Sequence, residues 1–121
     1  MAAYIPARGD FARIVLDPRI GREQSGERPV LVLSPEAFNA ATGYAFVAPI
    51  TRTVRGWPFE VPLPSGAPVE GAVLVDQARS IDFAARHARF IAHAPTELVD
   101  AVLARLADIL LPLPGQMPAK G

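Results

Sequence analysis

The sequence predicts a mainly β fold of the α+β class, in which about five to seven short strands form a small, strongly curved β-barrel. Two observations predict it. Short apolar runs recur along the chain between breaks that contain Gly, Pro or Asp. The only long helical pattern comes last and presents one apolar face. Its apolar residues at helical spacing are Leu98, Val99, Val102, Leu103, Leu106, Ile109 and Leu110.

The first strands are predicted from two apolar runs. Residues 11–16 (FARIVL) begin after Gly9-Asp10 and stop at Asp17-Pro18. Residues 19–27 are polar and punctuated by glycine, so we expect a flexible loop there. Residues 30–33 (VLVL) form a continuous apolar run, which predicts a buried strand.

A short helix is predicted next. Ser34 is a favoured N-cap residue, and Pro35 is tolerated at the first helical position. The helix is expected to end near residues 42–43, and residues 44–50 then form a third strand. Residues 51–56 make a second loop that carries Arg52 and Arg55, and no acidic group is expected near it.

The second half of the chain contains shorter predicted elements. Residues 57–63 contain two prolines and therefore suit an edge strand, where a missing N–H is tolerated. Residues 72–75 form another buried strand, and residues 89–93 form the last one. Residues 76–88 fit either a strand or a short helix.

The chain length allows one domain and one core. Pro95 and Pro112 bracket the final helix, so we expect a single domain over residues 1–112. Residues 113–121 are rich in Pro and Gly and are expected to form a flexible tail.

Composition narrows the class of protein. The chain has no cysteine, which excludes disulfides, thiolate nucleophiles and thiolate metal sites. It has neither the apolar stretch of a signal peptide nor a run long enough for a membrane helix, so a cytoplasmic location is expected. Twelve basic residues balance twelve acidic ones, but Lys120 is the only lysine. Arginine binds phosphate bidentately, although GC-rich coding produces the same preference.

Familiar catalytic motifs are missing: there is no HExxH, no P-loop, no Gly-x-Ser-x-Gly and no cluster with metal-ligand spacing. His87 and His93 are of the residue type that serves as an acid–base pair in RNA cleavage, but their spacing of six residues places them on no shared face. Three other residues lie where strands meet loops, and each has a structural alternative. Arg28 either acts in a site or pairs with a nearby glutamate. Thr51 is either functional or simply a strand residue, and Asp76 is either functional or caps a turn.

In order, the polar segments of this chain resemble the MazF/PemK (Kid) toxin family. The carrying motifs are Gly9-Asp10, Glu23-Gln-Ser-Gly-Glu-Arg-Pro29, Pro49-Ile-Thr51, Gly56-Trp-Pro-Phe-Glu60 and Asp76-Gln-Ala-Arg-Ser-Ile-Asp82. The resemblance runs from about Tyr4 to Leu111. It implies an SH3-like barrel of the CcdB/PemK type with a C-terminal helix, assembled as a homodimer.

The resemblance also implies an activity. Members of this family cut single-stranded RNA, often mRNA, at a short sequence, and leave 2′,3′-cyclic phosphate and 5′-hydroxyl ends. No metal or cofactor is required. The expected protein partner is a MazE-like antitoxin whose acidic tail lies in the RNA groove, and no membrane partner is expected.

The two branches of the family place catalysis differently. In the MazF branch the catalytic pair falls on Arg28 and Thr51, whose guanidinium and hydroxyl suit the charge that builds on a phosphate under attack. The Kid branch uses an Asp that matches Asp76, but Leu74 stands at the position of its Arg and Arg22 at that of its His. The MazF-type pair is therefore expected, with Asp76 as an orienting or RNA-binding residue.

Loop residues around this pair are the expected RNA-binding groups. Those suited to reading base edges are Glu23, Gln24, Gln77, Arg79 and Ser80; those suited to phosphate are Arg52, Arg55 and Arg86. Trp57 either stacks on a base or, as is commoner for tryptophan, packs in the core beside Phe59.

Two other functions are compatible with the same fold. A CcdB-like protein poisons DNA gyrase and cuts nothing, but it relies on its C-terminal residues, and this chain ends in a Pro/Gly tail. A degenerate relative would bind only RNA or an antitoxin, and the presence of both Arg28 and Thr51 argues against it.

Overall fold

The computed structural model of the chain describes residues 3–15 and 26–111. Along these residues the elements are β1 (Asp10–Val15), β2 (Glu27–Val32), α1 (Glu36–Thr42), β3 (Tyr44–Thr51), β4 (Glu60–Pro62), β5 (Ala72–Leu74), a 3₁₀ helix (Val75–Gln77), β6 (Arg79–Asp82), β7 (Arg89–His93) and α2 (Thr96–Leu110). None of the helices in these two ranges has the length and apolar character that crossing a bilayer requires. The predicted tail at residues 113–121 and most of the predicted loop at residues 19–27 lie outside the described residues.

The strands form one antiparallel sheet in the order β4-β5-β3-β2-β1-β7, and β6 also pairs with β3. The predicted class, mainly β with a C-terminal helix, is confirmed. The predicted barrel is not closed within the described residues, because β4 and β7 are the outer strands and do not pair with each other. β4 has only three residues and includes Pro62, which has no N–H to offer to another strand.

Side chains from the two faces of the sheet enter two separate core clusters. β3 contributes to both because successive side chains in a strand point to opposite faces. Ala48 and Ile50 belong to the cluster that α2 covers with Leu98 and Val102. Val47 belongs to the other cluster. Residues on both faces are therefore buried, which is why β2 reads as a continuous apolar run rather than an alternating one.

Ser34 does not cap α1, so that prediction is wrong. Pro35 occupies the N-cap position, and no side chain caps the helix. The hydroxyl of Ser34 instead donates to Asn39 Oδ1 (2.6 Å) and accepts from the N–H of Phe46 (2.8 Å). Both Ser34 and Asn39 are buried, and a buried polar group is costly without partners. The serine therefore joins α1 to β3.

Three segments of the structure differ from their predicted bounds or type. β2 starts at Glu27 rather than at residue 30, because Glu27 and Arg28 pair with the end of β1. The predicted edge strand at residues 57–63 shrinks to β4, because the N–H of Glu60 donates back to the carbonyl of Trp57 (3.0 Å) in a turn. The ambiguous stretch at residues 76–88 contains the end of the 3₁₀ helix, then β6 and turns.

Candidate active site

Arg28 and Thr51 are brought together by the pairing of β2 with β3. Val30 pairs with Pro49 at the end of this antiparallel ladder, and Arg28 and Thr51 each lie two residues beyond that pair. Both residues line the same two clefts. Arg28 is exposed and Thr51 is half-buried. The pair therefore lies where the two clefts meet.

Thr51 is held in place by two local features. Its hydroxyl oxygen accepts a hydrogen bond from the N–H of Thr53 (3.1 Å), which leaves the hydroxyl proton free to be donated elsewhere. On the other side, Gly71 approaches so closely that a Cβ there would lie 1.8 Å from the carbonyl oxygen of Thr51. Gly71 also has φ +119°, a conformation that residues with a side chain rarely adopt. Only glycine allows β5 to pack against Thr51 in this way.

The first cleft has an apolar floor and a polar rim, with a volume of about 270 Å³. The floor includes side chains from the second core cluster, namely Ile14, Val30, Val47 and Ile81. The polar rim residues are Arg28, Thr51, Gln77, Arg79 and Arg86. Three guanidinium groups around an apolar floor suit a ligand that carries phosphate.

The second cleft is wider and more polar, with a volume of about 700 Å³. Its charged lining residues within the described parts of the chain are Arg13, Glu27, Arg28, Arg52 and Glu70. Glu27 lies 4.0 Å from the Nε of Arg13 and also contacts Arg89. Because these contacts engage Glu27, it is not the partner of Arg28, and Glu23, the other glutamate predicted as a partner, lies outside the described residues. Within residues 3–15 and 26–111, Arg28 has no acidic partner within 4.0 Å.

The predicted site residues are only partly brought together. Arg28, Thr51, Gln77, Arg79 and Arg86 meet at the first cleft, and Arg52 lines the second. A second group of candidates lines neither cleft: Asp76, Ser80 and Arg55. Glu23 and Gln24 lie outside the described residues.

Strand geometry explains this division along β6. Arg79 and Ile81 face the first cleft, so Ser80 between them points to the opposite face, where it pairs with Phe46. In the preceding 3₁₀ helix, successive residues point in different directions, and Gln77 faces the cleft while Asp76 is exposed elsewhere.

The two histidines do not form an acid–base pair at these clefts, since neither lines them. The Nδ1 of His93 lies 3.2 Å from the buried carboxylate of Asp10, which also accepts a hydrogen bond from the hydroxyl of Tyr4 (2.7 Å). Burial, together with this hydrogen bond and the charge of Asp10, raises the pKa of Tyr4 above its ordinary value. This group ties the N-terminal segment to β1 and β7.

Three charged cleft residues were missed by the sequence analysis: Arg13, Glu27 and Glu70. The first two had a signal. Arg13 is a charged residue in the otherwise apolar FARIV run, which marks a position that faces outward. It pairs with Pro29 across the β1–β2 ladder, next to Arg28. Glu27 immediately precedes Arg28. It could be identified as a cleft residue only if β2 were known to begin at residue 27.

The loop after β3 departs from two expectations. An acidic group does serve this loop, because the carboxylate of Glu60 accepts hydrogen bonds from the N–H groups of Arg55 (2.9 Å) and Gly56 (2.8 Å). The expectation that Trp57 packs in the core beside Phe59 is wrong, since 52% of Trp57 is exposed. The guanidinium of Arg55 lies over its ring, 5.2 Å from the centroid.

A small antiparallel sheet with an arginine-rimmed cleft at the ends of its strands indicates a nucleic-acid-binding α+β protein. Comparison with known proteins narrows this class. Residues 7–110 match the family of PemK-like, MazF-like toxins of type II toxin–antitoxin systems. This chain belongs to that family.

Named relatives agree with this assignment. The endoribonuclease toxin MazF of Escherichia coli (strain K12) is 43% identical over 88 residues, which cover 73% of this chain and 78% of that protein. The endoribonuclease toxin ChpB of the same strain is 44% identical over 108 residues, covering 85% and 92%. A crystal structure of MazE-MazF (Form-II) from Deinococcus radiodurans superposes with a TM-score of 0.83 at 41% identity, over 89% of this chain and 97% of that chain.

Proposed function

We propose that this chain is an endoribonuclease toxin that cuts single-stranded RNA at a short sequence, with Arg28 and Thr51 as its catalytic residues. The observation that carries the proposal is the position of this pair. Both residues line both clefts, so an RNA strand that occupies the two clefts lies against them. The relatives named as endoribonucleases support the same activity.

The chemistry follows from the two side chains. The ribose 2′-hydroxyl attacks the adjacent phosphorus, the bond to the 5′-oxygen breaks, and the products carry a 2′,3′-cyclic phosphate and a 5′-hydroxyl. Charge builds on the phosphate oxygens during this step. The guanidinium of Arg28 donates two parallel hydrogen bonds to them, and the free hydroxyl proton of Thr51 supplies another.

Proton transfer is assigned to water. The 2′-hydroxyl releases its proton to solvent, and the leaving 5′-oxygen takes one from solvent. Arginine keeps its proton at any working pH, so Arg28 acts by charge and geometry rather than as an acid. The reaction needs no metal in this scheme. Asp76 takes no part in the reaction, because it lines neither cleft.

The remaining rim residues bind the RNA. Arg79 and Arg86 at the first cleft and Arg52 at the second suit phosphate, and Gln77 suits a base edge. The functional partners follow from the family: a second copy of this chain, and a MazE-like antitoxin that blocks the clefts. The solved MazE-MazF complex supports the antitoxin. The site of action is the cytoplasm, where the RNA substrate lies.

The test is cleavage of a long single-stranded RNA by the purified protein in EDTA, followed by primer extension and end-group analysis. Cuts at one short motif with cyclic-phosphate ends are expected. Arg28→Ala and Thr51→Ala should each lower the rate by about 100- to 1000-fold, the usual effect of removing a transition-state donor. Ser80→Ala, on the far face of β6, is the matched control.

The opposite results are equally informative. Wild-type rates in Arg28→Ala would refute the assigned site. Absence of cleavage on varied RNAs would refute the activity and make inhibition of DNA gyrase the next assay.

A further inference from the structure

Trp57 is a large aromatic side chain that is exposed to solvent in this fold. It is the only tryptophan in the chain, and 52% of it is exposed. The guanidinium of Arg55 lies over its ring, which gives the indole a cationic neighbour. Tryptophan is enriched at interfaces, so an exposed indole with a cationic neighbour is a candidate binding surface.

The loop that carries Trp57 is held in a fixed shape. The carboxylate of Glu60, only 8% exposed, accepts hydrogen bonds from the N–H groups of Arg55 and Gly56. Gly56 has φ +75°, which allows the chain to turn just before the tryptophan. The N–H of Glu60 also donates to the carbonyl of Trp57. These bonds preorganise the indole, so little conformational freedom is lost when a ligand binds it.

The same loop runs between the two clefts. It begins at Arg52 and Thr53, which line the second cleft. It ends at Glu60, which pairs with Leu74, and Leu74 lines the first cleft. Trp57 itself lines neither cleft. It therefore lies in the immediate surroundings of the site but outside the part that holds the reacting phosphate.

We propose that Trp57, backed by Arg55, is a stacking platform for an unpaired base of the RNA beyond the nucleotides held in the clefts. This inference rests on the proposed function, because it assumes a single-stranded RNA substrate. A base is favoured over a protein segment because every base has a flat π-face that stacks on an indole, with its phosphates free to meet nearby arginines. Arg52 and Arg55 attract phosphate, while the carboxylate of Glu60 is engaged by backbone N–H groups.

The platform predicts a dependence on RNA length. An RNA that carries the cleavage motif with about ten extra nucleotides on each side reaches Trp57, whereas the motif alone does not. Stacking on an aromatic side chain changes affinity by about tenfold. The KM of the long RNA should therefore be about tenfold lower than that of the short RNA. This advantage should disappear in Trp57→Leu and persist in Trp57→Phe, which keeps a ring for stacking.

A matched control is available on α1. Phe38 is also an exposed aromatic residue (47%), but it lies on another element. Phe38→Leu should retain the full length advantage. The indole also reports directly, since tryptophan fluorescence can arise only from position 57. Long single-stranded RNA with 2′-O-methyl groups, which cannot be cut, should quench it more strongly than the short form.

The outcomes separate the two proposals. If RNA is cut but Trp57→Leu keeps the length advantage and fluorescence does not respond, the platform is refuted while the endoribonuclease activity stands. If no RNA is cut, the proposed function fails, and the fluorescence titration still decides whether Trp57 binds single strands. Loss of affinity for an antitoxin in Trp57→Leu, with the length advantage intact, would overturn the platform and assign the indole to a protein contact.

Discussion

Replacing Gly71 with alanine places a methyl group against the backbone that carries Thr51. The new Cβ would lie 1.8 Å from the Thr51 carbonyl oxygen, and ordinary contact begins near 3.4 Å, so the two segments must separate by about 1.6 Å. A displacement of about 1 Å in a catalytic group can cost about 100-fold in rate. The cleavage rate of Gly71→Ala should therefore fall by about 100-fold.

The same substitution should also destabilise the fold. The φ of +119° costs a residue with a side chain about 1–3 kcal/mol, and the clash with backbone adds to that. Urea unfolding followed by circular dichroism measures the loss.

Gly66 provides the matched control for this prediction. It also has a positive φ (+84°), but a Cβ there would meet nothing within 4 Å. Gly66→Ala should share the conformational cost and leave the cleavage rate near that of the wild type. If Gly71→Ala cuts RNA as fast as Gly66→Ala, then the placement of Thr51 does not limit the reaction, and the argument from Gly71 is refuted.

Three further predictions test other parts of the molecule. Arg28→Lys keeps the charge but loses the planar fork, so cleavage should fall by about 10- to 100-fold while the melting temperature stays the same; equal rates for the two proteins would show that bidentate binding is unnecessary. Glu60→Gln weakens the two hydrogen bonds that hold the Trp57 loop and should lower the free energy of unfolding by about 1–2 kcal/mol, whereas the exposed Glu36→Gln should not change it. The pKa of Tyr4 is raised by burial, so its contribution to stability is complete below pH 10 and is lost as pH rises above that value. Urea midpoints measured across this range should fall more in the wild type than in Tyr4→Phe, and parallel curves would contradict the assignment.

Much of the fold was readable from local patterns. The final helix is amphipathic over its whole length, so periodicity alone located it. The strands at residues 44–50 and 89–93 also appeared nearly as predicted. Local patterns could not predict which segments of the chain contact each other. The start of β2 depends on its contact with β1, and Ser34 was misassigned because its partner, Phe46, comes from another element.

The candidate site shows the same limit more sharply. Composition alone could not choose Arg28 among eleven arginines; its position where a loop meets a strand made it a candidate, and only the family resemblance gave it a catalytic role. The sequence also could not predict that Trp57 is exposed, because a large apolar residue near Phe59 normally packs in the core. Trp57 is exposed because the Glu60 carboxylate accepts hydrogen bonds from the N–H groups of Arg55 and Gly56 and so holds the loop in a turn. No sequence pattern predicts these hydrogen bonds.

The register of β3 explains why the first cleft exists. Along one edge of β3, Val47 pairs with Arg79 of β6, and Ile50 pairs with Val73 of β5. If the β6 register continued, residue 76 rather than Val73 would lie opposite Ile50, so three residues are looped out of the ladder. The 3₁₀ helix Val75–Gln77 takes up these residues.

Pro49 lies between the two pairings and has no N–H that a continuous ladder would require. The sheet therefore parts at this point, and the gap between β5 and β6 opens the cleft. Gln77, the last residue of the 3₁₀ helix, faces into it. The irregularity that interrupts the sheet is thus the feature that creates the first cleft beside Thr51, and a continuous β5–β6 strand would leave Arg28 and Thr51 with the second cleft alone.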